Sequence, residues 1–411
     1  MLAVLKGEAL LSAKVLDGKD KKYLSMHSSV QTCIRNIITS EGIDLETMKL
    51  AMSLIHDGMA DCREIWSDQV IVRKNQPLVR HAVRLLSHYN HGILRYLAVS
   101  DPLQLSLNAL AALLYTDCGN LFLTIGKNEN ALKCYRQALS IEKVALGPMH
   151  SSVATNTHAI GLTLKSMGKD AEALENFQTA YSVFAAIHGK MHPSVASSIH
   201  SIGDCYLKLG DHTKALECYK KALIVFNKAY GKEHADIASC LLAIGNVFKL
   251  TSRFPEALIH FEQALAIQEA LYSSNGGSGD SYFQLSLSST MINVGTVLKM
   301  QGKYQEALVN YNKSLNIEKA FYGTIFHPSV ARIMFLIGTV CSRLSNNQDA
   351  LYFYQNSLEA RKLCLGLTHP SVISSLYAVG NVYFNIQEYG MALDYYEQVL
   401  ALQSDSSDRS R

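Results

Sequence analysis

His88 and His91 stand three residues apart, a helical spacing at which two imidazoles can share a metal ion, but no third ligand is spaced to join them. Five further histidines, His150, His192, His234, His327 and His369, are spread along the chain at long intervals. Groups so far apart do not converge on one ion, so they read as helix caps or packing residues. Nine cysteines, at 33, 62, 118, 134, 205, 218, 240, 341 and 364, form no CxxC pair and are odd in number. They read as free thiols acting as small apolar residues in helices. No glycine-rich phosphate loop, GxSxG, HExxH or nucleophile–base pairing is present. The expectation is a chain without catalysis, cofactor or metal, whose chemistry is recognition. Amides such as Asn246 and Asn381 can donate to and accept from a peptide backbone, and lysines such as Lys249 and Lys299 can attract acidic groups.

The elements that must position these groups repeat. Glycines recur at 119, 161, 203, 245, 295, 338 and 380, with separations of 42, 42, 42, 50, 43 and 42. Twelve residues after each comes an Ala-Leu pair, from Ala131-Leu132 through Ala173, Ala215, Ala257, Ala307 and Ala350 to Ala392-Leu393. Four residues beyond each alanine stands an aromatic: Tyr135, Phe177, Tyr219, Phe261, Tyr311, Tyr354 or Tyr396. Ala138, Ala180, Ala222, Ala264, Ser314, Ser357 or Val399 follows three residues later. Alanine, aromatic and the last position share one helical face at i, i+4, i+7, and the glycine lets a second helix approach it. Gly126, Gly168, Gly210 and Gly302 end the first helix of four units. Ser252, Ser345 and Gln387 stand at the other three and predict less regular turns.

This spacing resembles the tetratricopeptide repeat, in its 42-residue variant found in kinesin light chains. Each recurring histidine precedes a unit's glycine by eleven residues, as in His327-Pro328-Ser329-Val330, and Gly147, Gly189, Gly231, Gly323 and Gly366 end the second helices before them. The resemblance implies an all-α right-handed superhelix, an α-solenoid of about seven helix pairs over 108–403. It also implies a concave groove that holds an extended partner segment. Counting inward positions from each glycine places His158, His200, Asp204, Asn246, Lys249, Asn293, Lys299 and Asn381 as candidate groove residues, and Arg332 joins them for its positive charge. Lys165 adds positive charge, and Asp204 is the main counter-charge. Members that clamp a terminal carboxylate need lysine three before the first glycine; Thr116, His158 and His200 stand there instead, so no such clamp is expected.

Residues 1–107 fall outside the repeat and read as helices over about 27–40, 44–65 and 77–98, a cap or second contact surface. No heptad pattern of the kind that precedes the repeats in kinesin light chains is sustained there. Arg73, Lys74, Arg80 and Arg84 form a small basic cluster read as a solvated face. The stretch Ser273–Ser281 is Gly/Ser-rich and reads as a flexible loop, and 404–411 as a disordered tail.

Composition fits this picture. Apolar residues make up 48% of the 411, charged residues 18%, and the net charge is +3, which excludes a disordered chain and a globally basic nucleic-acid binder. MLAVLKGEALLSAKVL carries Lys6, Glu8 and Lys14 within its apolar pattern, which argues against a signal peptide. Leu103–Gly126 contains one charge, Asp117, but its polar residues and repeat register make it a buried opening helix and not a membrane span. With the free thiols, the expected location is cytoplasmic. Two classes of function fit: an adaptor holding an acidic protein segment in the groove, or a regulatory or assembly subunit, motor–cargo linkage included, that uses the N-terminal helices and the array's outer edges.

Overall fold

The structure, a computed structural model, describes residues 102–274 and 281–408 together with Leu86. The expected N-terminal helices, the His88–His91 pair, the basic cluster and residues 275–280 lie outside the described residues. From Pro102 to Asp408 the described chain is fourteen α-helices in seven consecutive packed pairs. They are α1 Pro102–Thr124, α2 Asn128–Leu146, α3 Ser151–Ser166, α4 Asp170–His188, α5 Pro193–Lys208, α6 His212–Tyr230 and α7 Ala235–Leu250. There follow α8 Phe254–Ser274, α9 Ser281–Met300, α10 Tyr304–Tyr322, α11 Pro328–Arg343, α12 Asn347–Leu365, α13 Pro370–Asn385 and α14 Tyr389–Asp408. Odd-numbered helices are the first members of the pairs. None is long and apolar enough to cross a membrane.

The pairing follows from the glycine and its aromatic. A Cβ at Gly119 would lie 2.7 Å from the Tyr135 ring, at Gly161 2.6 Å from Phe177, and at Gly245 2.6 Å from Phe261. No side chain fits there, so glycine fixes the distance between the two helices. Ala131, Ala173, Ala215, Ala257, Ala307 and Ala350 are fully buried on the same interfaces.

Helix starts and stops are as regular. Before α3, α5, α7, α11 and α13 the recurring histidine is the N-cap in extended backbone, and its side chain accepts from the backbone N–H two residues on, at 3.1–3.3 Å. That satisfies a donor the helix leaves free. Proline follows at the first helical position of α5, α11 and α13, where its missing N–H costs nothing.

First helices end in one kind of turn. At Gly126 the φ is +74°, and Lys127 N–H bonds Phe122 O while Gly126 N–H bonds Leu123 O. Ser252, Ser345 and Gln387, expected to need less regular turns, adopt the same turn with φ of 59°, 60° and 68° and the same two hydrogen bonds. Burial of the flanking helices imposes the left-handed residue and outweighs the cost of about 1–2 kcal/mol for a side chain there.

The chain divides into two compact units, Met1–Val225 and Phe226–Arg411, with the division inside α6 and away from the Gly/Ser-rich stretch. In the first unit, successive pairs meet through α2–α3 and α4–α5; in the second, through α8–α9, α10–α11 and α12–α13. Each unit therefore builds its core by stacking neighbours, as in a solenoid. Ser273 and Ser274 end α8, and Ser281 starts α9, so both margins of the expected loop are helical. The last helix runs through Asp408, into the segment expected to be disordered. The described cysteines are all free; Cys118, Cys134, Cys205, Cys240 and Cys341 are buried, Cys218 is half-buried and Cys364 is exposed, an exception to the core reading.

Candidate peptide-binding surface

The first helices of the first unit carry charges that satisfy one another. Lys165 on α3 donates to Asp204 on α5 at 2.6 Å, and Tyr219 OH on α6 donates to the other carboxylate oxygen at 2.8 Å. His200 Nδ1 lies 3.9 Å from the same carboxylate, its ring tilted against Tyr219. Burial, then the Asp204 charge and hydrogen bond, push the Tyr219 hydroxyl well above its ordinary range, so it stays a donor. His158 packs on Phe177 at 4.9 Å between ring centroids, with Ser198 Oγ 3.4 Å from its Nδ1. Burial first, and the Lys165 charge second, hold His158 down at about 4, so the imidazole is neutral near pH 7. The two histidines thus serve as packing groups, and Asp204 joins His200, Lys165 and Tyr219 into one cluster.

The second unit is different. Lys249 on α7 donates to Asn293 Oδ1 on α9 at 2.8 Å and lies 5.6 Å from the centre of the Phe261 ring. Burial lowers its affinity for the proton, and the charge of Arg332 adds to the effect. Lys299 on α9 is lowered in the same way, by burial and then by Arg343. Among the described residues no carboxylate forms an ion pair with Lys249, Lys299, Arg332 or Arg343. Two half-buried ammonium groups without a counter-ion make a surface that gains from an incoming anion.

The amides divide by the aromatic sixteen residues after each unit's glycine. Tyr135 OH donates to Asn120 Oδ1 at 2.7 Å and Tyr396 OH to Asn381 Oδ1 at 2.8 Å, which leaves each amide its NH₂ to present. In the unit of Asn246 the ring against Gly245 is Phe261, which has no hydroxyl to donate to the amide.

Asn381 also lines an open cavity of about 500 Å³ with Phe335, Thr339 and Ser342 of α11 and Tyr377 and Ala378 of α13. These six are inward positions counted from Gly338 and Gly380. Arg361, buried beneath the Phe335 ring at 4.4 Å, donates to Ser371 O and Ser375 Oγ, both at 2.8 Å. It braces that wall, and burial draws its guanidinium down to about 10. The sequence reading passed over Arg361 and Arg343. Arg343 lies one residue outside the inward register, and Arg361 lies on a second helix with nothing in its spacing to mark it.

The family model for the tetratricopeptide repeat matches residues 109–186, 152–223, 194–270, 286–362 and 329–405. The chain belongs to the tetratricopeptide repeat family. No curated protein matches it. Among solved structures it is similar to a signal-transduction ATPase with numerous domains and a tetratricopeptide repeat sensor from Pyrococcus horikoshii, at 12% identity and a TM-score of 0.59, over 94% of this chain and 55% of that one. It is also similar to aspartyl phosphate phosphatase F from Bacillus subtilis, at 16% identity and a TM-score of 0.51, over 94% of this chain and 96% of that one. BtubC (BKLC) from P. vanneervenii, at 22% identity and a TM-score of 0.48, covers 62% of this chain and 91% of that one. At identities of 12% and 16% the first two likenesses show the repeat fold and carry no activity.

Proposed function

We propose that this repeat protein is a non-catalytic adaptor whose second unit holds an extended, acidic protein segment. What supports the reading is the pair of half-buried amines, Lys249 and Lys299, with no carboxylate beside them. A partner carboxylate supplies the missing counter-charge, Asn246 and Asn381 engage its backbone, and an apolar or aromatic side chain fills the cavity between Phe335 and Tyr377. His158, His200 and Asp204 contribute to the stability of the first unit. The partner is protein and not nucleic acid, and the free thiols suit a reducing compartment such as the cytoplasm.

The test is titration of the whole chain with a labelled acidic peptide carrying one central aromatic, beside the variant Lys249→Glu, Lys299→Glu, Arg332→Glu with its fold checked by circular dichroism. Affinity is expected to fall by about tenfold or more, and the salt dependence to flatten. Unchanged affinity and salt dependence would remove the groove from consideration. A second reading, assembly through outer surfaces, is favoured by one observation, the exposed leucines at the end of the array.

A further inference from the structure

In each pair the second helix offers one face to the next pair, and two positions fill it, one and eight residues after the packing alanine. Leu132 and Leu139 on α2 share an apolar cluster with Ile160 and Leu164 of α3. Leu358 on α12 packs with Val372 and Leu376 of α13. Leu132, Leu315 and Leu358 are accordingly 8%, 4% and 6% exposed. On α14 the same two positions are Leu393 and Leu400, and they are 57% and 65% exposed. Tyr389, 58% exposed, extends the stripe by one turn at i, i+4 spacing. On α14 the leucines of an inter-pair face thus stand exposed among the described residues.

Charge selects the occupant. Between Tyr389 and Asp408 there is no lysine or arginine. Exposed Glu397 lies four residues after Leu393 and three before Leu400, on the same face, and exposed Asp394 lies beside it at i−3. A second copy of this face would set acid against acid, and an anionic membrane surface would do the same. We infer that the outer face of α14 docks an amphipathic helix of a partner protein, with apolar residues at i, i+4, i+7 spacing flanked by lysine or arginine. Such a helix takes the place that α13 holds on α12, its apolar residues standing where Val372 and Leu376 stand. The site is independent of the basic surface of the second unit and opposite to it in sign.

The probe is a synthetic helical peptide with leucine at that spacing and lysine on its flanks, titrated by fluorescence anisotropy into the full chain. Saturable binding is expected, at least about tenfold weaker in the exposed double variant Leu393→Gln, Leu400→Gln, which leaves every charge in place. A matched peptide with glutamate for lysine is expected to bind about tenfold more weakly to the wild type, and Glu397→Lys to narrow that gap. Equal binding by wild type and double variant, or no binding at all, overturns the assignment. So does a concentration-dependent dimer in sedimentation equilibrium that the double variant abolishes, since the occupant is then a second copy.

Discussion

Three lysines in equivalent positions, four residues after their glycines, meet two different fates. In the first unit Lys165 finds Asp204, one residue after the next glycine, and Tyr219 secures that carboxylate. In the second unit Lys249 and Lys299 look toward repeats that carry Thr296 and Thr339 at the corresponding place. Thr296 shares a hydrogen bond with Tyr311 and Thr339 donates to Phe335 O, and neither brings a charge. The positions three before the glycine differ in parallel: His158 and His200 in the first unit, Leu242, Ile292, Phe335 and Tyr377 in the second. One scaffold thus supports a self-neutralised face and a face whose lysines form no ion pair among the described residues. The repeat fixes where these side chains stand, and single residues decide whether they are already satisfied.

The largest effect is expected where the comparison touches the helix interface. Gly203→Ala would press its Cβ within 2.8 Å of Tyr219, whose hydroxyl is tied to Asp204, whereas Gly245→Ala meets Phe261 at 2.6 Å with no hydrogen bond at stake. Both should destabilise by about 1–3 kcal/mol through overpacking. Gly203→Ala should add about 1–2 kcal/mol for the charged hydrogen bond. Urea denaturation with hydrogen exchange across α5–α8 measures the difference, and equal losses would show that Tyr219 contributes packing alone.

Acid should separate the units next. The folded His158 titrates at about 4, below its ordinary 6.5, because burial disfavours the imidazolium. Between those values the unfolded chain binds the extra proton, so stability is full above 6.5 and falls as pH drops toward 4, by on the order of 3 kcal/mol. Thermal melts across that window should show a loss that His158→Leu removes, with early exchange in α3–α5. Exchange that begins in α11–α13 would contradict it.

The comparison can also be broken deliberately. Thr339→Asp copies the Asp204 arrangement beside Tyr354 and gives Lys299 a counter-charge. Affinity for an acidic peptide should fall about tenfold while the melting temperature barely moves. Unaltered affinity would mean that the lysine charge takes no part in binding.

The smallest effect concerns the turns. Among the described residues the non-glycine left-handed residues, Ser252, Ser345 and Gln387, lie in the second unit. Ser345→Gly should stabilise by about 0.5–1 kcal/mol, since relief of the strained backbone exceeds the added unfolded-state entropy. Chemical denaturation detects this, and no gain would show that the serine is unstrained there.

Much of this was legible in advance, for local reasons. The glycine–aromatic–alanine register dictates which faces meet, and the structure places each glycine against its aromatic. The five histidines announce helix starts by their position before serine or aspartate and the apolar run. The bonds from Tyr135 to Asn120 and from Tyr396 to Asn381 join residues fifteen apart on two helices, and they show only once the pairs are packed. Lys165 and Asp204 are 39 residues apart and Lys249 and Asn293 are 44, and no local pattern pairs them. The turns at Ser252, Ser345 and Gln387 escaped because intrinsic preference argues against them and packing overrides it.

What the sequence alone determined is the set of short-range rules: helix periods, caps, stops and the close approach of two helices at a glycine. They are readable because each depends on residues within one turn or one repeat. What only the tertiary structure decided is the satisfaction of charge and apolar surface between repeats. Whether Lys299 has an anion, whether Phe335 rests on Arg361, and whether Leu400 has a neighbour depend on desolvation by helices distant in the chain, and burial is a property of the stack and not of any residue in it.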